Sequence, residues 1–488
     1  MSSATRLKEE PAPTEAATAA PRASATLGDK FATRRWFSAT GLLALDVAVF
    51  YGSHRVLVWA NLNDYLVDAQ FTLFWLPLAL LVPVLYIIGG YDVRRQMKSF
   101  GYTSEHLIAV VVATSLAALA IYSIAAYNTL VKPSRAVLLG EFGLFLPISL
   151  AYRWRIAPWV AARAARKSFL VLGAGAAATA FYEAYLKKPN RQQLVFVDPH
   201  ERRVGEALAG AGSPTIEGGA IEKLLTLGDA YDGVIVAEEA EKLGPEVRDT
   251  LVRMHFLDVP VYTLETFYET HWRMIPVFAL NSLWPLQMGF QFTRDYPYLH
   301  LKRLCDLAIS SIGLVLLLPL ILIVAILVLW RTGRPVIFRQ SRIGRDRVPF
   351  TVFKFRTMHA HAEPGSPYTL ERDARITGLG RWLRRFRLDE LPQLWNVFRG
   401  DMSLIGPRAE SAECVAEYEA RVASYHLRHL VKPGITGWAQ VSYPYGAGYD
   451  DAVEKLKYDL YYIRHHSFLL DAMIVLKTLY VLLSARGR

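Results

Sequence analysis

Cysteine is almost missing: the 488 residues contain two, Cys305 and Cys414. Two isolated thiols cannot build a disulfide framework or a zinc site, which sets redox chemistry and metal-stapled folds aside. Charge is also scarce, at 20% of residues, and one sign is in deficit: 44 Asp and Glu stand against 55 Lys and Arg, for a formal net charge of +11. Hydrophobic residues reach 52% and mean hydropathy +0.20, high for a soluble protein, and the length exceeds one ordinary core. Several domains with a membrane portion are therefore expected. Residues 1–33 are rich in Ala, Pro, Ser, Thr and Glu, without periodicity or a signal-type apolar core, and read as a disordered tail. The excess cations flank apolar segments, so lipid and phosphorylated substrates are expected as partners and nucleic acid is not.

Four apolar stretches, Trp36 to Ala60, Phe71 to Tyr91, His106 to Tyr127 and Ala136 to Tyr152, each approach the ~20 residues that cross a bilayer, giving a four-helix transmembrane portion over 34–155. Arg34 and Arg35 precede the first, Arg94, Arg95 and Lys98 separate the second from the third, and Arg153, Arg155, Arg163, Arg166 and Lys167 follow the fourth. That asymmetry puts the N-terminus and everything downstream in the cytoplasm of a multi-pass inner-membrane protein, with Lys132 and Arg135 the exceptions. Asp46, His54 and Arg55 inside the first span are costly in hydrocarbon and read as bundle-facing or snorkelling groups, with a lipid or ligand site as the alternative.

A fifth apolar run, Leu307 to Trp330, has basic residues at both ends: Lys302 and Arg303 before it, Arg331, Arg334 and Arg339 after it. Both ends call for the same side of the membrane, which predicts a re-entrant helical hairpin over 302–331 broken near Pro319. A final apolar segment, Phe468 to Leu483, carries Asp471 and Lys477 and reads as a packed or interfacial helix.

Between the membrane segments, an apolar strand signal at Phe169 to Leu172 runs into Gly173, Ala174 and Gly175, and further strands are expected at Leu194 to Val197, Gly233 to Ala237 and Val259 to Leu264. Residues 168–265 thus read as a small Rossmann-like α/β domain, and 266–299 as a linker. The unit is half of a full dinucleotide fold and shows no obvious ribose-binding acid, so its role reads as structural or regulatory.

The chemistry is expected after the fifth run. Lys354 and Arg356, then Arg372, Asp373 and Arg375, then Arg381 to Arg408 supply cations with few carboxylates, a pattern suited to phosphate oxygens. Between Arg381 and Phe398 these cations interleave with Trp382, Leu383, Phe386, Leu388, Leu391, Leu394, Trp395 and Phe398, as in helices lying in a membrane surface. Asp389 and Glu390 are nearly the only acids among Arg384, Arg385, Arg387 and Arg399. Two adjacent acids are by frequency a solvated helix face. In this setting they are held ionised, and a carboxylate nucleophile divides phosphoryl transfer into two steps. Mg²⁺ is expected as cofactor, to offset diphosphate charge. Gly400 to Ser403 with Gly406 to Arg408 read as a loop that brings backbone donors and Arg408 near a phosphate, and Lys432 to Gly437 as a second such turn.

With these residues in view, the chain resembles the bacterial sugar transferases, the polyprenyl-phosphate hexose-1-phosphate transferases or large monotopic phosphoglycosyl transferases. The resemblance covers about 300–485 and rests on KRLCD (Lys302 to Asp306), RIG (Arg342 to Gly344), KFRTM (Lys354 to Met358), LDELPQLWNVFRGDMSLIGPR (Leu388 to Arg408), KPGITGWAQV (Lys432 to Val441) and KYDLYYI (Lys457 to Ile463). It implies a re-entrant hairpin and a mostly helical catalytic domain over 300–488. It also implies attack of Asp389 on the β-phosphorus of a UDP-hexose, loss of UMP, and transfer of the phosphosugar to undecaprenyl phosphate, initiating exopolysaccharide, capsule or O-antigen synthesis. Glu390 would be the dyad partner, serving Mg²⁺ or the proton. Lys354, Arg384, Asp401 and Arg408 would surround the dyad, with Arg372, Asp373 and Arg375 nearby.

The chain departs from the family pattern twice: Leu318 stands where Ser often precedes the hairpin proline, and Pro407-Arg408 is followed by Ala409 in place of Pro. Rival readings are a membrane nucleotide-sugar dehydratase, for which Tyr298 and Lys302 are the sole tempting Tyr-x-x-x-Lys pair, and a non-enzymatic scaffold of a polysaccharide assembly complex. Glucose and galactose are equal expectations for the sugar, and a homodimer is one open arrangement.

Overall fold

The structure is a computed structural model that describes residues 40–60, 70–91, 97–127, 135–164, 168–188, 192–227, 231–257, 259–280, 297–359, 375–422, 424–443 and 448–483. The expected tail, the flanking cations Arg34, Arg35, Arg94, Arg95, Arg166 and Lys167, Lys132 of the third loop, most of the expected linker, and the candidate site residues Arg372 and Asp373 lie outside the described residues. The chain divides into two compact units, 1–267 and 268–488.

The first unit begins with four apolar helices: α1 (Thr40–Ala60), α2 (Gln70–Ile87), α3 (Phe100–Tyr127) and α4 (Arg135–Ala164). All four contribute to one apolar core, in which Phe50 of α1 meets Phe142 and Phe145 of α4 edge-on, with ring centroids 5.4 and 5.9 Å apart. Among the described residues three of them, α1, α3 and α4, are long and apolar enough to cross a membrane. The second expected span is described as α2, which contains Pro77 and Pro83 and ends at Ile87, four residues before the expected boundary, where Gly90 N bonds back to Leu85 O at 2.8 Å.

The ionisable residues of α1 divide. Asp46 and Arg153 of α4, both fully buried, form a two-pronged ion pair of 2.7 and 2.6 Å, and Arg153 Nε also donates to Tyr102 Oη at 2.9 Å. His54 meets Glu141 at 2.5 Å. Both pairs face the bundle, where a charge is tolerated because it has a partner, while Arg55 stays exposed.

The same unit contains a four-stranded parallel sheet of order β2-β1-β3-β4, formed by β1 (Ser168–Leu172), β2 (Gln193–Val197), β3 (Tyr231–Val236) and β4 (Val261–Thr263). The near-continuous apolar run of β1, buried from Phe169 onwards, suits a central parallel strand covered on both faces. Asp198, at the end of β2, accepts with its carboxylate from the backbone N–H groups of His200, Arg202 and Arg203, each at 2.9 Å. Arg203 in turn bonds Ala174 O in the glycine turn at 2.5 Å, so this acid shapes its own loop.

From Pro297 the second unit forms a bent pair of apolar helices where the hairpin was expected. Its first arm is Pro297–Leu316 and its second Leu318–Thr332, bent by 61°. The expected break is present, displaced from Pro319 to Leu317: Pro319 sits in the first turn of the second arm, where its missing N–H has no partner to lose. An antiparallel pair follows, β5 (Ile337–Ile343) with β6 (Pro349–Phe355), then a helix at Gly378–Arg385, a single turn at Leu388–Glu390 and a helix at Gln393–Arg399. Strands β7 (Ser403–Ile405) and β8 (Gly434–Thr436) pair in parallel, and helices Tyr449–His465 and Phe468–Leu483 complete the described unit.

Asp471 explains why that last apolar helix carries an acid. It accepts from Tyr298 Oη at 2.6 Å, Lys302 Nζ at 2.7 Å and Tyr462 Oη at 2.9 Å, joining the first hairpin arm to the two final helices. Tyr298 and Lys302 are thereby committed to packing, which removes the pair on which the dehydratase reading depended.

Candidate active site

Asp389 and Glu390 reach one buried place because the chain on either side is pinned. Before them, Thr377 caps the helix Gly378–Arg385 by accepting from Gly380 N at 2.9 Å. That helix presses on the end of β6 so closely that a Cβ on Gly380 would lie 2.1 Å from Thr357 O, and Arg384 Nε bonds Thr357 Oγ1 at 2.9 Å. Arg387 then takes a left-handed conformation and turns the chain inward. After the dyad, fully buried Asn396 binds β6 on both sides of Val352, accepting from Phe353 N at 3.1 Å and donating to Thr351 O at 2.7 Å. Lys354, next along β6, is thus set opposite Glu390.

The two acids are unlike. Glu390 Oε1 receives Lys354 Nζ at 3.3 Å, Arg408 Nη2 at 3.1 Å and Arg387 Nη1 at 3.7 Å. Burial on its own would raise the Glu390 pKa, but these three cations outweigh it and hold the group far below the usual carboxylate range. Asp389 is moved the other way: burial and then the Glu390 charge raise it, against Lys354, Arg384 and Arg387. Its Oδ1 is buried and has no hydrogen-bond partner among the described residues. A buried carboxylate oxygen held without a partner costs free energy and is poised to take one from a substrate.

Of the other expected residues, Lys354, Arg384 and Arg408 gather at the dyad. Arg356 is placed elsewhere: its guanidinium is occupied by the carbonyls of Thr332, Gly333 and Arg334, at the end of the second hairpin arm. Asp401 bonds Asn396 at 3.3 Å and pairs with Arg399 at 3.6 Å, not with the dyad. Lys432 belongs to a second basic group; burial first, then Arg303 and Arg345, lower its pKa against Asp306 and Asp401. Arg375 is described near the start of the Gly378–Arg385 helix, its carbonyl accepting from His359 N at 3.0 Å.

Arg408 sits in a loop held at nearly every carbonyl. Ile405 O accepts from Tyr462 Oη at 3.3 Å, Pro407 O from Gly434 N at 2.9 Å, Arg408 O from Arg428 Nη2 at 2.9 Å, Ala409 O from Arg342 Nη1 at 3.2 Å and Glu410 O from Ile343 N at 3.0 Å. Gly434 can approach because it lacks a side chain: a Cβ there would stand 2.1 Å from Gly406 N. The hairpin is docked by two residues whose positions were legible only as part of a motif. Arg303 donates to Val397 O and Phe398 O at 2.6 and 2.7 Å, ending the Gln393–Arg399 helix, and Asp306 accepts from Leu404 N at 3.0 Å. Arg428 lies outside every motif, and a lone arginine in one sequence gives no signal of its role.

The residues present fit a magnesium ion that shares its ligands with a substrate. Asp389 and Glu390 offer hard oxygen donors, one of them unpartnered, and no group of three or more His, Cys, Asp or Glu disposed for a metal occurs among the described residues. Mg²⁺ is commonly held by one or two carboxylates with substrate phosphates completing its shell.

Residues 297–485, which include the whole of this site, match the bacterial sugar transferase family. Over 187 residues the chain is 38% identical to the uncharacterized sugar transferase EpsL of Bacillus subtilis, covering 38% of this chain and 89% of EpsL. The chain belongs to the bacterial sugar transferase family. Among longer members, it is 36% identical over 258 residues to the UDP-N-acetylgalactosamine-undecaprenyl-phosphate N-acetylgalactosaminephosphotransferase of Aeromonas hydrophila, covering 53% of this chain and 60% of that one. It is 42% identical over 189 residues to the UDP-glucose:undecaprenyl-phosphate glucose-1-phosphate transferase of Xanthomonas campestris pv. campestris, covering 38% and 39%. The match to this sugar transferase thus spans less than two thirds of either longer relative.

Proposed function

We propose that this sugar transferase moves a sugar-1-phosphate from a UDP-sugar to undecaprenyl phosphate, releasing UMP, at the cytoplasmic face of a bacterial inner membrane. The observation that carries the reading is Asp389, a buried carboxylate with an unpartnered oxygen, set among the cations Lys354, Arg384 and Arg387. An Asp389 oxygen attacks the β-phosphorus, the bond from that phosphorus to the bridging oxygen breaks, and UMP leaves with the electron pair. An oxygen of undecaprenyl phosphate then attacks the same phosphorus, the acyl phosphate P–O bond breaks, and the carboxylate is restored. Lys354 and Arg408 neutralise Glu390, so that the adjacent acids do not repel the diphosphate, while Arg384 and Arg387, the other cations acting on Asp389, would meet its oxygens. Asp389 and Glu390 would hold Mg²⁺, which would supply positive charge to the donor diphosphate as UMP leaves.

The reading includes four spans and a re-entrant hairpin, consistent with the 61° bend and with exposed Ile312, Val315, Leu322 and Ile326 on its arms. It also includes a place at the start of exopolysaccharide, capsule or O-antigen synthesis. The relatives' names divide between glucose and N-acetylgalactosamine, so the donor panel must carry both besides galactose. UMP release by membrane fractions, with and without undecaprenyl phosphate and Mg²⁺, tests the reading. Release that requires Asp389 supports it, and undiminished release by Asp389→Asn refutes the nucleophile. Silence of the wild type with every donor favours the scaffold.

A further inference from the structure

Arg408 meets Glu390 through one long side chain that remains 38% exposed, so the placement of its backbone bears on whether the ion pair forms. The residue after it is Ala409, which does not restrict residue 408 as a proline there would. The restraint comes from another part of the chain. Arg428 Nη2 donates both to Arg408 O and to Asp459 Oδ2, each at 2.9 Å, and Arg428 Nη1 donates to Tyr425 Oη at 2.5 Å. Arg428 and Asp459 are both buried, at 5% and 2% exposure. A buried ion pair adds little net stability over well-packed apolar groups, so its use here is better sought in what it holds in place.

We propose that Asp459 and Arg428 form a positioning pair that fixes the backbone of Arg408 and so directs its guanidinium onto Glu390. Tyr425 holds Nη1 of the Arg428 guanidinium, and Asp459 holds Nη2, whose second N–H ends on the Arg408 carbonyl. The planar fork is necessary because three acceptors in different directions must be met at once, which a lysine ammonium on a flexible stem does not do. This inference rests on the reading of the Asp389 dyad as the donor site.

The test is a double-mutant cycle on the full chain in membranes, with Arg428→Lys and Arg408→Lys made singly and together and UMP release followed over a range of donor concentrations. Arg428→Lys is expected to lower kcat about tenfold while KM for the donor changes less than about threefold, because the ion pair between Arg408 and Glu390 acts on the reacting groups. The double variant is expected to be about as slow as the slower single one, since both substitutions remove the same interaction. Wild-type kcat in Arg428→Lys, or losses that multiply in the double variant, would overturn the proposal. Where Arg428→Lys does not fold, as judged by its thermal transition, Asp459→Asn keeps the shape, removes the charge and enters the same cycle under the same criteria. A wild-type chain that releases no UMP defeats the donor-site reading, and the positioning pair falls with it; an active wild type with an unaffected cycle defeats the positioning pair alone.

Discussion

Asp389 and Glu390 are neighbours in the chain and opposites in charge behaviour: Glu390 is saturated by Lys354, Arg408 and Arg387, while Asp389 keeps a buried oxygen without a partner among the described residues. Two carboxylates whose surroundings push their pKa values apart are suited to different roles.

The pH dependence of the donor step follows from that asymmetry. In the proposed reaction the attacking form of Asp389 is the carboxylate, so activity is expected to rise with pH through its pKa, which burial and the Glu390 charge lift above the ordinary 3.8. Glu390→Gln removes a charge that raises this pKa, and the acid limb of the pH-rate profile is expected to move to lower pH. Lys354→Met removes a charge that lowers it, and the limb is expected to move to higher pH. Rapid-quench measurement of UMP release against pH reads both; limbs moving in one direction would contradict the assignment.

Arg356 separates a structural arginine from a substrate-binding one. Because its guanidinium is taken up by the carbonyls of Thr332, Gly333 and Arg334, Arg356→Ala is expected to lower stability by about 1–3 kcal/mol, the usual range for stranded buried acceptors. Donor KM should stay within about twofold of wild type. Thermal unfolding in detergent together with initial rates checks it, and a large KM increase without loss of stability would return Arg356 to the substrate.

How far the sequence disclosed this arrangement depended on the range of the signal. The break in the fifth apolar run was legible because a proline inside such a run is a local pattern, and the dyad because two acids stood among arginines. Arg356 and Arg384 looked alike in sequence, since nothing local distinguishes a guanidinium that ends a helix from one beside a carboxylate. The end of the second apolar helix was not legible, because hydropathy continues past Ile87 while the backbone turns at Gly89 and Gly90. Asn396, Arg428 and Asp459 act through partners tens of residues away, a relation that composition and spacing do not carry.

Asp471 provides a test of packing in the final helix. Asp471→Leu removes the acceptor of Lys302 and Tyr298 in a buried setting, leaving Tyr462 only Ile405 O, and is expected to destabilise by about 3–5 kcal/mol, as when one member of a buried pair is removed. A thermal transition within a degree of wild type would show that the three donors find other partners.

The hairpin topology is checked at Val348, exposed in the turn between β5 and β6. In a Cys305→Ser background, Val348→Cys is expected to react with a membrane-impermeant thiol reagent in inverted vesicles and to be protected in intact cells. Labelling from outside the cell would mean that the two arms cross the bilayer as one span.

The clamped loop at 405–410 carries a consequence for how this chain tolerates change in length. Its carbonyls are gripped by donors from β5, from the segment at Arg428, from β8 and from the helix that contains Tyr462. A single inserted residue would shift each acceptor by about 3.5 Å along the chain, past the reach of its donor, so that all the grips fail together. Segments between the gripping residues can lengthen or shorten without that penalty. Drift in length is therefore tolerated around this loop and forbidden within it, and the loop acts as the fixed gauge against which the distant parts of the domain are set.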